Sequence, residues 1–290
     1  MEPAPRKPTR TRKPHVDGAA PSVRHSGCEK EAAHQTAAGD PRTEGTARRD
    51  ATALADAAAF IGKGARADKG DAADSQRSGI EQRLAEEWAR AKGRLIDDRE
   101  LDSLLLISNS TSEHEVWYRE FDNRAVKRTW PGFFGQVPIW KAGRLDRAPA
   151  TPVQYLERQR LQNEVFDGDI ILEGVNVSSR SSMIIGEPAG LPSFVISQPF
   201  IETTEENFPA PSETQIAALL SAHGFEAVPG SYFGWQRVSD GVVILDARRD
   251  NFILSAEGVI PIDLQMAVIP EIIRAKTPRA SASKARRKRA

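Results

Sequence analysis

The sequence predicts an α+β fold: a mostly β N-terminal half with one inserted helix, then a second helix and a β region that carries the candidate site. Three observations carry this expectation. Short runs rich in β-branched and aromatic residues, separated by turn residues, recur between residues 116 and 201. In their midst Thr151-Pro152 reads as an N-cap followed by proline at the first helical position. Beyond them, the short apolar runs of residues 242–262 deliver Asp246, Asn251 and Asp263 to their ends.

Taken in order, Met1 to Gly79 is dominated by Ala, Gly, Pro, Ser, Thr, Arg, Lys and Asp, with Leu54, Phe60 and Ile61 as its few large apolar residues. Such a segment buries too little surface to offset its ordering entropy, so residues 1–78 are expected to be a disordered arm, with at most a brief helical stretch at Ala51 to Ile61. From Ile80 to Ile96, the spacing of Ile80, Leu84, Trp88 and Ala91 predicts an amphipathic helix that closes near Gly93 and packs on the main domain; residues 79–100 are assigned to it. That domain is placed at 101–270. Val116 to Phe121 and Ala125 to Thr129 flank Asp122-Asn123-Arg124, a hairpin pattern. Trp130 to Leu145, punctuated by Pro131, Gly132, Gly135, Pro138 and Gly143, reads as irregular.

The helix opened by Thr151 carries an apolar stripe of Tyr155, Leu156, Leu161 and Val165. Strands are expected at Ile170 to Val175, Ser182 to Ile185 and Phe194 to Ile201, the last apolar on both faces like a central strand. Ser212 to His223 is a second capped helix, Tyr232 to Arg237 leads into the final strands, and 271–290 is a basic disordered tail.

The final strands carry the chemistry. Val242 to Leu245 delivers Asp246 at a strand end, a short polar loop places Asn251 five residues on, and Phe252 to Leu254 with Val259 to Ile262 lead to Asp263. A hard cation such as Mg²⁺ takes one or two carboxylates, an amide oxygen and substrate phosphates, while a further carboxylate accepts the proton of an attacking hydroxyl. His114, in the polar turn of residues 109–115, is a further general-base candidate, with a solvated or hydrogen-bonded turn histidine as the plainer reading.

In this arrangement the chain resembles the protein-kinase-like fold, and more closely the serine/threonine/tyrosine kinase domains of phage and mobile-element polyvalent proteins. The likeness rests on SEHEVW (112–117), PGFFG (131–135), ATPVQYLERQRLQNEVF (150–166), ISQPFIE (196–202), LDARRDNFI (245–253) and PIDLQ (261–265). It implies a minimal kinase-like fold, with an antiparallel β N-lobe, one inserted helix and a much reduced C-lobe. It also implies ATP and Mg²⁺ as cofactors and transfer of the γ-phosphate to a hydroxyl acceptor, protein or small molecule. Under this resemblance Asp246 matches the catalytic-loop aspartate, and Arg248 sits where a cation neutralises the transferring phosphoryl group. Asn251 and Asp263 match the metal ligands, and Lys127 the lysine that steadies the α- and β-phosphates. Glu157 is matched to the ion-pair partner of Lys127, with Glu164 as the alternative, and Gln198, Phe200 and Ile201 lie in the strand end resembling the adenine-binding hinge.

The sequence departs from the family pattern in two places. The turn expected over the phosphates, SNSTSEHE, contains no glycine, and Asp263 is followed by Leu264 and Gln265 with no room for a normal activation segment or helical substrate platform. A non-catalytic kinase-like interaction module therefore stands as the alternative. It would bind nucleic acid or an acidic partner through the basic ends, above all Lys284, Arg286, Arg287, Lys288 and Arg289. The lone Cys28 excludes a disulfide framework or cysteine zinc site within the chain and suits a reducing cytosol. No apolar run approaches the roughly 20 residues that cross a bilayer, so a cytoplasmic protein with no membrane partner is expected.

Overall fold

The computed structural model describes residues 41–67, 74–108, 113–178, 190–202, 210–231 and 233–270. The fold is α+β. Two helices come first, α1 (Pro41–Ala67) and α2 (Asp74–Lys92), followed by the short strand β1 (Leu95–Ile96) and the short helix α3 (Asp98–Asp102). A meander comes next: β2 (Leu105–Ser108), β3 (His114–Arg119) and β4 (Arg124–Thr129). After it lie the ribbon β5 (Gln136–Lys141) and β6 (Arg144–Pro149), helix α4 (Pro152–Phe166), and strands β7 (Ile171–Val177) and β8 (Pro192–Pro199). The C-terminal part consists of α5 (Glu213–Ala222), β9 (Glu226–Ala227), β10 (Trp235–Arg237), β11 (Val242–Leu245), β12 (Phe252–Ser255), β13 (Gly258–Pro261) and β14 (Gln265–Val268).

The larger sheet has the order β1-β7-β8-β4-β3-β2 and is antiparallel except where β1 runs parallel to β7. Strand β8 is central and almost wholly buried, as its apolar composition predicts. The β3–β4 hairpin turns at Asn123, which adopts the left-handed conformation (φ 53°) that asparagine tolerates well. A second antiparallel sheet, β14-β11-β10-β9, and the ribbon β12-β13 form the C-terminal part.

Helix α4 joins the two parts. Thr151 caps it through a reciprocal capping box with Gln154, and Pro152 occupies its first turn. Tyr155 and Leu156 enter a core with Leu172, Val175, Phe194 and Ile196 of the large sheet. Leu161 and Val165 enter a second core with Ile216 and Leu220 of α5 and with Ile244, Leu264 and Met266. Ser212 caps α5 by the same device with Gln215.

The N-terminal expectation needs correction. Residues 1–78 are not uniformly a disordered arm, because α1 lies within them and buries Ala53, Leu54, Ala57, Ala58 and Ile61 in the first core. Small side chains along one face let α1 approach α2 and α4 closely, so a composition that looks too poor to fold is completed by the partner surfaces. Trp88 of α2 donates its indole N–H to Asp56 of α1 at 3.0 Å. The wholly buried Glu81 of α2 accepts the free Val153 amide in the first turn of α4 at 3.0 Å, placing a carboxylate at that helix's positive end. Helix α2 closes at Gly93 as expected, yet its inner face is Glu81, Ala85, Trp88 and Ala89, while Ala91 is exposed.

Trp130 to Leu145 is likewise not irregular throughout. It contains β5 and the start of β6, joined at Ala142-Gly143, both with positive φ, the two-residue hairpin connection whose twist suits antiparallel strands. Pro138 is tolerated because this ribbon has only two strands. The strand expected at 182–185, residues 109–112 of the phosphate turn at 108–115, the first forty residues with Cys28, and the basic tail with Lys284 to Arg289 lie outside the described residues, and the end of that turn, from His114 on, belongs to β3. Among the described residues no helix is long and apolar enough to cross a membrane.

Candidate active site

The six-stranded sheet and the β12–β13 ribbon with its flanking loops bound a cleft of about 640 Å³. Ala125 and Lys127 of β4 line one wall, Gln198, Phe200 and Ile201 at the end of β8 line its back, and Arg248, Asn251, Phe252 and Asp263 line the opposite wall. Seven of the sequence-predicted site residues therefore meet in one cavity: Lys127, Gln198, Phe200, Ile201, Arg248, Asn251 and Asp263. Strand alternation accounts for Lys127, which shares the inward face with Ala125; Arg128 points to the other face and pairs with Glu115 and Asp98. At the back of the cleft the Phe200 ring packs 4.7 Å from Tyr118, and the Phe200 amide donates to the Asn123 carbonyl at 2.9 Å.

Asp263 is the most heavily engaged of these groups. Arg158 Nη2 lies 3.1 Å from its Oδ1, and His114 Nδ1 lies 3.7 Å from its Oδ2. Lys127 Nζ donates to the neighbouring Ile262 carbonyl at 2.6 Å. Burial pushes the Asp263 carboxyl up, but the neighbouring His114, Arg158 and Lys127 more than reverse this and hold it well below the usual carboxylate range. Burial also lowers Lys127, against the pull of Asp263 and Glu113, which favour its charged form. Gln162 clamps the loop from α4: its side chain donates to the Pro261 carbonyl at 3.2 Å and accepts the Leu264 amide at 3.4 Å.

The expected partner of Lys127 is not where the sequence placed it. Glu157 is 43% exposed and pairs with Arg160, and the alternative, Glu164, is more exposed still and pairs with the same arginine. Helix geometry explains the miss, since one residue along α4 rotates the side chain by about 100°. Arg158 is the residue that turns inward. Only 1% exposed, it pairs with Glu113 at 2.5 Å as well as with Asp263, and its guanidinium lies 5.1 Å from the Tyr155 ring centroid. Burial pushes the Arg158 guanidinium down, but Glu113 and Asp263 outweigh it, so the group stays charged. The helix thus supplies the cation, and its two acids come from the residue before β3 and the loop before β14.

Sequence reasoning passed over Glu113, Arg158 and Gln162. A signal for the last two was present: Tyr155, Arg158, Gln162 and Val165 recur at helical spacing, so both polar residues fall on the buried stripe. Glu113 depends on Gly135, which sits at φ +73°, and a Cβ there would come within 2.1 Å of the Glu113 carboxylate. His114, a general-base candidate in the sequence, is buried and hydrogen-bonded rather than solvated, with Nε2 3.0 Å from the Tyr155 hydroxyl and Nδ1 toward Asp263.

Asp246 lies at the end of β11 with φ 60°, a left-handed conformation uncommon outside glycine and asparagine. Asn251 holds that turn by donating to the Asp246 carbonyl at 2.7 Å, and Arg248 Nε pairs with Asp246 Oδ1 at 2.8 Å. Asp246 lines not the large cleft but an adjoining recess, and Glu113 and Arg248 line both. Its carboxylate therefore stands beside the compartment that holds Lys127 and Asp263.

The donor set suits a hard cation. Asn251 uses its amide N–H on Asp246 and, among the described residues, its side-chain oxygen accepts no hydrogen bond, and Asp263 offers a carboxylate held ionised. Glu113, His114 and Asp263 also bring ligand atoms within 4.8 Å of one another, although these three are already tied to Arg158 and Tyr155. No family model matches this chain, and neither does any curated protein or solved structure.

Proposed function

We propose that the protein is an ATP- and Mg²⁺-dependent phosphotransferase of kinase-like architecture that moves the γ-phosphate to a hydroxyl acceptor. One observation carries the reading: Lys127, the Gln198 to Ile201 strand end, Asn251 and Asp263 converge on a single cleft, with Asp246 in the adjoining recess. Lys127 also lies on the third strand of the β2–β3–β4 meander, the kinase position for the phosphate-binding lysine. In this reading adenine lies against the strand end, Lys127 steadies the phosphates, and Asn251 and Asp263 hold Mg²⁺, which neutralises charge on the phosphates. Arg248, at the boundary of the two compartments, stabilises the transferring group, and Asp246 accepts the hydroxyl proton. A cytoplasmic setting and a mobile-element origin belong to the same proposal.

The test separates binding from chemistry. Lys127→Met and Asp263→Asn are expected to weaken Mg·ATP binding by about tenfold or more, whereas Asp246→Asn keeps binding and loses transfer. Unchanged ATP affinity in both of the first two variants would sink the reading.

The non-catalytic module, already favoured by the glycine-free phosphate turn, draws structural support from the engagement of Asp263 by Arg158. With or without nucleotide, it predicts strongly salt-dependent partner binding that is lost on deleting Lys284 to Arg289, and absence of Mg·ATP binding by wild type at millimolar concentration would favour it.

A further inference from the structure

The recess beside Asp246 has a volume of about 580 Å³, the size of a small-molecule site. Its outer wall is the β5–β6 ribbon, which packs against β11 and β14 and contributes Gln136 and Arg147. Phe133 and Phe233 supply apolar surface, and Gln265 of β14 faces it from the other side. Two of these side chains have capacity to spare. Gln265 is 8% exposed, and its amide oxygen is buried without a hydrogen-bond partner, which a ligand donor would satisfy. Arg147 is exposed at the rim and, among the described residues, makes no ion pair, whereas Arg248 is held by Asp246 and Asp250, and Glu113 by Arg158.

Resting on the phosphotransferase reading, we propose that this recess is the acceptor site and takes a small alcohol bearing an anionic group. Gln265 and Asp246 engage its hydroxyls and Arg147 its carboxylate or phosphate. The acceptor oxygen forms a bond to the γ-phosphorus, the bond from that phosphorus to the β-phosphate bridging oxygen breaks, ADP leaves, and the hydroxyl proton passes to Asp246. The small-molecule size of the recess and the cation at its rim suit such an acceptor, and a protein hydroxyl is the competing outcome of the test.

The test uses the full chain, titrated calorimetrically without nucleotide against glycerate and gluconate as anionic polyols and glycerol as the neutral one. Wild type should bind an anionic polyol and not glycerol. Arg147→Ala, a change at an exposed position, should weaken that binding by about tenfold or more and leave Mg·ATP affinity unchanged. Gln265→Leu should weaken it as well, while Asp263→Asn should lose Mg·ATP and keep the polyol. Failure of both anions to bind wild type, or equal binding by Arg147→Ala, overturns the proposal whatever ATP does. Phosphate transfer to a serine peptide but to neither polyol overturns it while leaving the phosphotransferase standing. Polyol binding by a chain that binds no Mg·ATP removes the acceptor role together with the phosphotransferase, and the ATP titration tells that failure from the others.

Discussion

Replacing Arg158 by methionine tests the charge network that positions Asp263. Methionine keeps the length and apolar stem of the side chain but removes the cation that faces Glu113 at 2.5 Å and Asp263 at 3.1 Å. Breaking a buried ion pair by deleting one partner costs about 3–5 kcal/mol, because the remaining charge stays buried without compensation. Here the two acids differ. The Glu113 side chain is only 10% exposed and loses its closest cation, whereas that of Asp263 is 32% exposed and keeps Lys127; His114 lies within 4 Å of both acids. The lower end of the range, about 3 kcal/mol, is therefore expected, most of it from Glu113. With a urea m-value of about 2–3 kcal/mol/M, the unfolding midpoint falls by about 1 M. Adding Glu113→Gln removes the stranded charge and should bring stability back to within about 1 kcal/mol of wild type. A single-variant cost below about 1 kcal/mol, or a double variant that sums the two single losses, would refute this account of the site.

Ile61→Ala should cost about 2–4 kcal/mol in urea unfolding, since Ile61 is fully buried against the first core; a negligible change would mean that α1 does not dock. The Asp263 carboxyl is depressed in the folded state, so its contribution to stability is present above the unfolded value of about 3.9 and is lost as pH falls below it. The stability difference between wild type and Asp263→Asn should accordingly stay level from neutral pH to about pH 4 and shrink below that, and a difference independent of pH would contradict the assignment. Glu157→Ala should leave nucleotide affinity within about twofold of wild type, because Glu157 faces solvent with Arg160; a loss of tenfold or more would restore it as the partner of Lys127.

The sequence was most readable where local chemistry decides structure. The Asp122-Asn123-Arg124 turn, the Thr151-Pro152 and Ser212 caps and the apolar run of β8 each act within a few residues, and each element forms where they place it. What escaped depends on partners distant in the chain. The alanine-rich α1 has too little apolar surface to fold alone and is ordered by α2, α4 and the sheet. The β5–β6 ribbon was hidden by Gly135, Pro138 and Gly143, although Ala142-Gly143 is a compact hairpin turn and Gly135 makes room for Glu113. In the site, the residues at strand ends were legible because strand direction and alternation deliver them together. The inward residue of α4 was not, because Glu157 and Arg158 differ by one position and only the three-dimensional arrangement shows which of them meets Asp263.

The most direct measurement is calorimetric titration of the full-length protein with ATP, with and without Mg²⁺, on wild type and Asp263→Asn. The full chain is required because α1 belongs to the core. Convergence of Lys127, Asn251 and Asp263 on one cleft predicts Mg²⁺-dependent binding by wild type that Asp263→Asn weakens by about tenfold or more. Absence of binding by folded wild type at millimolar ATP, or binding that neither Mg²⁺ nor the substitution affects, would contradict it.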